Sequence, residues 1–294
     1  MINLVQNVVD GISVGSLYAL TALGIGLIFG VMRLINVAHG ELITAMGYTM
    51  LLFASQSVVV AMIGGMIAVV LLALVTERVA FRPLRSADPA TLLVASFAVS
   101  FFLQKSIALV IGYRPKGINI LPSLGQQVVV FGVRLQLLKM ATIAVVAVML
   151  ILLTWFLKRT RFGLEMRAAA ENFRMAQLLG IRGNRVIAMA FALSAILAAA
   201  VAVLFISQSG FLTPRMGLQL VVIAFVGTVI GGLGSLVGAA AGGFFVGATT
   251  VFLQAVLPPD LRQLREAFVY LVVILVLLLR PQGLFPASGL KERV

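Results

Sequence analysis

Apolar stretches of membrane-spanning length recur from one end of the chain to the other, near 7–30, 38–54, 58–76, 90–112, 139–157, 186–207, 217–235, 237–257 and 266–280. Each reads as a helix, because lipid leaves every backbone group to be satisfied inside its own segment. The pattern predicts an all-α polytopic membrane protein with nine transmembrane helices, or eight if Asn36 to Phe53 begins as a re-entrant half-helix. No composition shift divides the chain, so residues 1–294 read as a single transmembrane domain. The alternation fails once inside the first fifty residues, at Arg33-Leu34-Ile35-Asn36-Val37-Ala38-His39-Gly40-Glu41, which predicts a broken or re-entrant helix near 31–41. A charge near the bilayer centre costs roughly 2.5 to 3.5 kcal/mol even on lenient insertion scales, so these groups are expected to face protein or water and to serve transport.

Two geometries fit that break. In one it lies at membrane depth: Asn36 caps a helix running from Val37, and the free N–H groups and positive dipole end favour a carboxylate. Glu41, inside the first turn, then has a structural or gating role, and His39 satisfies Glu41 or a backbone carbonyl. In the other it is a surface turn with Arg33 at the cytoplasmic interface. Asn36, His39 and Glu41 are the front candidates for the substrate pathway.

Basic residues set the topology. Segments 31–40, 77–89, 158–185 and the tail after 279 hold 14 of the 22 Lys and Arg, seven lie in the opposite loops, and Lys105 lies within a span. The positive-inside rule makes the richer side cytoplasmic, with the C-terminus inside and, for nine spans, the N-terminus outside. The external segment 112–139 contains alternating Val128-Val129-Val130-Phe131-Gly132-Val133, which fits a short hairpin or a surface-lying piece. The cytoplasmic segment 158–185 is filled with helix formers over 164–179, and Gly180 stands where a C-cap falls. Leu164, Ala168, Ala169, Ala176 and Leu179 form a small-residue stripe along it, suited either to a groove on a partner protein or to the membrane interface.

Glycines recur at four-residue spacing: Gly227 and Gly231, then Gly234, Gly238 and Gly242, and Gly243 with Gly247. Such spacing permits close helix contact in lipid, and Gly231-Gly232-Leu233-Gly234-Ser235 also reads as a tight turn between two spans. Gly11 with Gly15 and Gly26 with Gly30 repeat the spacing at the front. Glycine-interrupted segments in both halves point to a midplane site, which makes Gly231 and Gly234 further pathway candidates.

Composition narrows the chemistry. A chain 62% hydrophobic and 11% charged is a membrane protein whose net charge of +13 serves topology rather than nucleic acid. With no cysteine, one histidine and nine acids, disulfides, thiolate metal sites and multi-histidine sites are excluded. The residues before Asp10 lack the basic n-region of a cleaved signal peptide, so the first apolar segment is expected to remain as a span. No Gly-x-x-x-x-Gly-Lys-Ser/Thr loop occurs, so any ATP drive must come from another subunit. An ion-coupled secondary transporter with His39 and Glu41 as a proton relay is the alternative; a structural membrane scaffold would leave residues 33–41 unexplained.

Residues 26–41, Gly26-Leu27-Ile28-Phe29-Gly30-Val31-Met32-Arg33-Leu34-Ile35-Asn36-Val37-Ala38-His39-Gly40-Glu41, resemble the signature of LivH-type permeases of branched-chain amino acid ABC importers. Arg161-Phe162-Gly163 with Arg167-Ala168 and Ala170-Glu171-Asn172, ending in Leu178-Leu179-Gly180-Ile181, resembles their cytoplasmic coupling segment. Gly227 to Gly243 is similar to their glycine-rich late spans, and Leu279-Arg280-Pro281-Gln282-Gly283-Leu284-Phe285 to their C-terminal end. The Ile-x-Leu-Pro element found downstream in the coupling loop of other importers is absent. The resemblance implies half of a translocation pathway, with no cofactor bound by this chain, in a bacterial inner membrane. The implied partners are a paralogous LivM-like permease, two cytoplasmic ATPase subunits that use the ATP, and a periplasmic substrate-binding protein. Leucine, isoleucine and valine are the default cargo, with short amides and urea carried by close relatives. Gly163, Arg167, Ala170, Glu171, Asn172, Ala176 and Gly180 are then the candidates for coupling to the ATPase.

Overall fold

The computed structural model describes residues 2–53, 55–130 and 133–285. Its helices are α1 (Ile2–Met32), α2 (His39–Leu52), α3 (Val58–Thr76, continued by a π-turn Glu77–Phe81), α4 (Pro89–Ile111), α5 (Leu137–Arg159), α6 (Arg161–Glu171), α7 (Phe173–Leu178), α8 (Gly183–Ser209), α9 (Met216–Gly231), α10 (Leu236–Val256) and α11 (Arg265–Leu279). Short strands β1 (Lys116–Gly117), β2 (Gln127–Val130), β3 (Val133–Gln136) and β4 (Phe211–Leu212) lie in the connections. Each of the nine apolar stretches carries one helix. Among the described residues six helices are long and apolar enough to cross a bilayer. The other three are shorter, α2 with 14 residues, α9 with 16 and α11 with 15. At 1.5 Å per residue α2 is about 21 Å long, well short of a roughly 30 Å hydrocarbon core.

The described residues pack as two compact units. A central unit comprises Gly24–Ile120 and Ile151–Val222; a terminal unit comprises Met1–Leu23, Leu121–Leu150 and Ile223–Val294. In the central unit α2 is packed among α3, α4 and α8. Helix α4 begins at Asp88, whose carboxylate accepts from the Thr91 N–H and is held below its usual pKa chiefly by the Thr91 hydroxyl. Arg85 bonds both Glu77, at the end of α3, and Asn184, at the start of α8, so segments 77–89 and 183–185 share a face of this unit. The β1–β4 ladder joins segments 116–117 and 211–212, and these too share a face. Both groupings agree with the loop sides set by the basic residues.

In the terminal unit the glycines act through their missing Cβ. A Cβ on Gly227 would stand 2.7 Å from the Gly243 Cα; one on Gly243, 2.6 Å from the Tyr18 carbonyl; one on Gly247, 2.5 Å from the Gly15 Cα. Gly231 and Gly238 face each other, each blocked by the carbonyl of the other. Helix α10 is therefore in backbone contact with α9 on one side and α1 on another. Gly234 is different: it lies in the turn between α9 and α10 at φ +91° and supplies the turn, not the helix contact expected of it. An apolar cluster of Ile230, Val246, Val269 and Val273 adds α11. The tail then doubles back, with Leu284 N–H donating to the Ile230 carbonyl at 2.7 Å and Phe285 N–H to that of Gly231 at 2.9 Å, capping the end of α9. That pairing is the structural content of the Arg280 to Phe285 motif. The expected hairpin also forms, β2 pairing antiparallel with β3, while its two turn residues lie outside the described ones. Lys139 and Asp10 make an ion pair at 2.6 Å.

Candidate functional site

The broken segment is buried. Of residues 34–44 all but Ile35 are buried, and His39, Glu41 and Thr44 have no exposed surface, whereas Arg33 is exposed at φ +55°. This burial speaks against a solvent-exposed turn over Asn36 to Glu41. The cap geometry also differs from expectation. Ala38 is the N-cap of α2 and offers no side-chain acceptor. The N–H groups of His39, Gly40 and Glu41 donate to the carbonyls of Asn36, Val37 and Ala38 at 3.2, 3.2 and 3.0 Å, and that of Val37 donates to Ser96 Oγ at 3.4 Å. A tight backbone turn has consumed the donors that the carboxylate reading required, and the Asn36 amide does not cap the helix.

His39 and Glu41 are two residues apart on a helix, some 200° around its axis, and reach different neighbours. Ser194 Oγ, on α8, donates to the Gly24 carbonyl at 2.9 Å and lies 2.9 Å from His39 Nδ1. With the single hydroxyl proton on the Gly24 carbonyl, the ring donates to Ser194 from Nδ1 and Nε2 is left a bare acceptor. Glu41 Oε1 accepts from Ser100 Oγ of α4 at 3.1 Å. His39 therefore satisfies neither Glu41 nor a carbonyl, and the two form no relay with each other.

Thr44 ties α2 to the start of α9. Its hydroxyl donates to the Gly40 carbonyl at 3.3 Å and accepts the Gly217 N–H at 3.2 Å, one of the N–H groups left free in the first turn of α9. Gly40 and Gly217 stand back to back, each blocked by the other's carbonyl. Thr44→Val keeps the shape and removes both bonds, and is expected to lower stability by about 1–3 kcal/mol, since a buried N–H is left unpaired. A thermal unfolding midpoint equal to that of the unchanged protein would contradict this role.

Asn36 Oδ1, His39 Nε2 and Glu41 Oε2 are buried with no hydrogen-bond partner among the described residues. Such atoms are rare in packed interiors and cluster where structure serves function. Gly231 and Gly234 lie in the terminal unit, where the first packs against Gly238 and the second forms the turn between α9 and α10. The sequence reading missed Ser96, Ser100 and Gln104, the buried polar stripe of α4. Their spacing of four within an apolar span was the available signal.

Segment 158–185 carries two short helices, α6 and α7, not one. Asn172 ends α6 and caps α7, its Oδ1 accepting the Met175 N–H at 3.0 Å. Gly180, at φ +89°, closes α7 as expected, with Gly180 N–H to the Gln177 carbonyl and Ile181 N–H to that of Ala176, both 3.0 Å. The stripe divides: Ala169 and Ala176 are buried with Gly163 and Met166, while Leu164, Met175, Leu178 and Leu179 are exposed. Among the coupling candidates Gly163 and Ala176 pack inward, Ala170 is partly buried, and Arg167, Glu171, Asn172 and Gly180 face out.

A polytopic helical protein with a buried, interrupted half-helix carrying unpaired polar groups belongs to the class of membrane transport proteins. Residues 7–277 match the family described as branched-chain amino acid transport system / permease component, and the chain belongs to that family. It is 34% identical over 296 residues to the high-affinity branched-chain amino acid transport system permease protein BraD of Pseudomonas aeruginosa, covering 95% of this chain and 94% of the relative. It is 31% identical, with the same coverage, to the permease protein LivH of Escherichia coli strain K12. A local likeness, 37% over 98 residues, links it to the autoinducer 2 import system permease protein LsrC of Klebsiella pneumoniae.

Proposed function

We propose that this chain is the LivH-type permease of an ABC importer for branched-chain amino acids, forming half of the translocation pathway in a bacterial inner membrane. The observation that carries the reading is the full-length likeness to permeases of that transport system, joined to a buried half-helix of the kind that lines transport paths. A second, LivM-like permease supplies the other half, two cytoplasmic ATPase subunits supply the energy, and a periplasmic binding protein delivers the amino acid. The exposed apolar residues Leu164, Met175, Leu178 and Leu179 of segment 158–185 offer the ATPase its contact, with Arg167, Ala170 and Glu171 beside them. Asn36, His39 and Glu41 line or gate the path as α2 shifts between two packings. The separate bonding of His39 and Glu41 speaks against an ion-coupled carrier.

Proteoliposomes holding the permease with its co-purified subunits test the proposal. Leucine uptake is expected with binding protein outside and ATP inside, and is expected to survive collapse of the proton gradient. Uptake that follows the proton gradient and ignores ATP would replace it with the ion-coupled mechanism.

A further inference from the structure

The outward face of α4 carries a lysine that the transport reading does not use. Phe101, Lys105 and Leu109, at spacing four, share one exposed face, flanked by Phe102 and Val110. On a spanning helix this face meets lipid tails, and Lys105 lies six residues, about 9 Å, short of the helix end. Gly112 ends α4 at φ +97°, a backbone turn that favours glycine, and the reversal brings Tyr113 back over the lysine. Lys105 Nζ lies 5.5 Å from the Tyr113 ring centroid and 3.5 Å from its hydroxyl. Arg114 and Lys116 follow, both exposed. Their segment is pinned: Lys116 pairs with Leu212 in the β1–β4 ladder and Ile118 N–H donates to the Gly210 carbonyl at 3.1 Å. The ion pairs among the described residues are Arg85–Glu77 and Lys139–Asp10, so no carboxylate answers these three cations. The partial negative charge of about one half at the end of α4 leaves a clear positive excess.

We propose that Lys105, Tyr113, Arg114 and Lys116 bind the phosphate headgroup of an anionic phospholipid whose acyl chains lie along Phe101 and Leu109. The phosphate accepts from the ammonium and the phenol, and the guanidinium suits its paired oxygens. A lipid fits better than a soluble anion because Lys105 emerges below the helix end among apolar side chains, where a headgroup with its own tails arrives naturally.

The test uses the full chain in the complex it forms, placed in phosphatidylcholine nanodiscs with or without a minor fraction of phosphatidylglycerol. Phosphatidylglycerol is expected to raise the unfolding midpoint by roughly 2–4 °C. Lys105→Gln/Arg114→Gln/Lys116→Gln is expected to lose that rise while matching the unchanged protein in phosphatidylcholine alone. Arg215→Gln, an exposed cation that is not one of the proposed phosphate ligands, is expected to keep it. An equal rise in the triple variant, loss of the rise in Arg215→Gln, or the same rise from inorganic phosphate without phosphatidylglycerol would each overturn the lipid site.

Discussion

Gly231→Leu is expected to abolish the folded protein or lower its stability by about 3 kcal/mol or more, because the new Cβ falls on the Gly238 carbonyl and no rotamer moves a Cβ. Neither helix can give way alone. Gly238 is blocked by Gly231, and a Cβ on Gly242 would stand 2.6 Å from the Gly231 N, so the contact runs along the whole start of α10. Leu275→Phe, on an exposed stretch of α11, is expected to change stability by no more than about 0.5 kcal/mol. Unfolding midpoints of the two purified variants decide it, and equal values would mean that the glycine spacing is incidental.

The second large effect is expected at Gly24, whose missing side chain makes room for the His39 ring. A Cβ on Gly24 would stand 2.5 Å from Nε2, and the ring is held from its other edge by Ser194. Gly24→Ala should therefore drive the imidazole off Ser194 and leave a buried ring N–H unpaired, costing about 1–3 kcal/mol and depressing uptake by about tenfold or more. The cost depends on the ring, so Gly24→Ala should be much milder in a His39→Ala background, with a coupling energy of at least about 1 kcal/mol. Additive effects on stability in that double-mutant cycle would show that Gly24 and His39 do not act together.

What the sequence made legible follows from which forces act locally. The nine apolar stretches became nine helices because lipid imposes a length and a polarity that a linear reading detects. Gly180 and the turn at Gly231 to Gly234 were equally readable, since a helix end and a reversal have residue requirements of their own. Asn36 misled because its capping chemistry is genuine but was not used: three backbone bonds closed the turn first, and the helix began at His39. Asn172 was hidden among alanines, in a run whose average propensity favours one helix over two. The partners of His39 and Glu41 were beyond local reading. Ser194 and Ser100 lie on α8 and α4, and an isolated serine in an apolar span gives no direction until packing supplies one.

The return of the tail to α9 sets an order for biosynthesis. The carbonyls of Ile230 and Gly231 receive their donors from Leu284 and Phe285, which leave the ribosome only after α10 and α11 have been made. Gly15 and Tyr18, in the middle of α1, likewise wait for Gly247 and Gly243 of α10 to pack against them. The terminal unit can close only once the segment through Phe285 has been made, so a chain truncated after Arg280 leaves the end of α9 without these two donors.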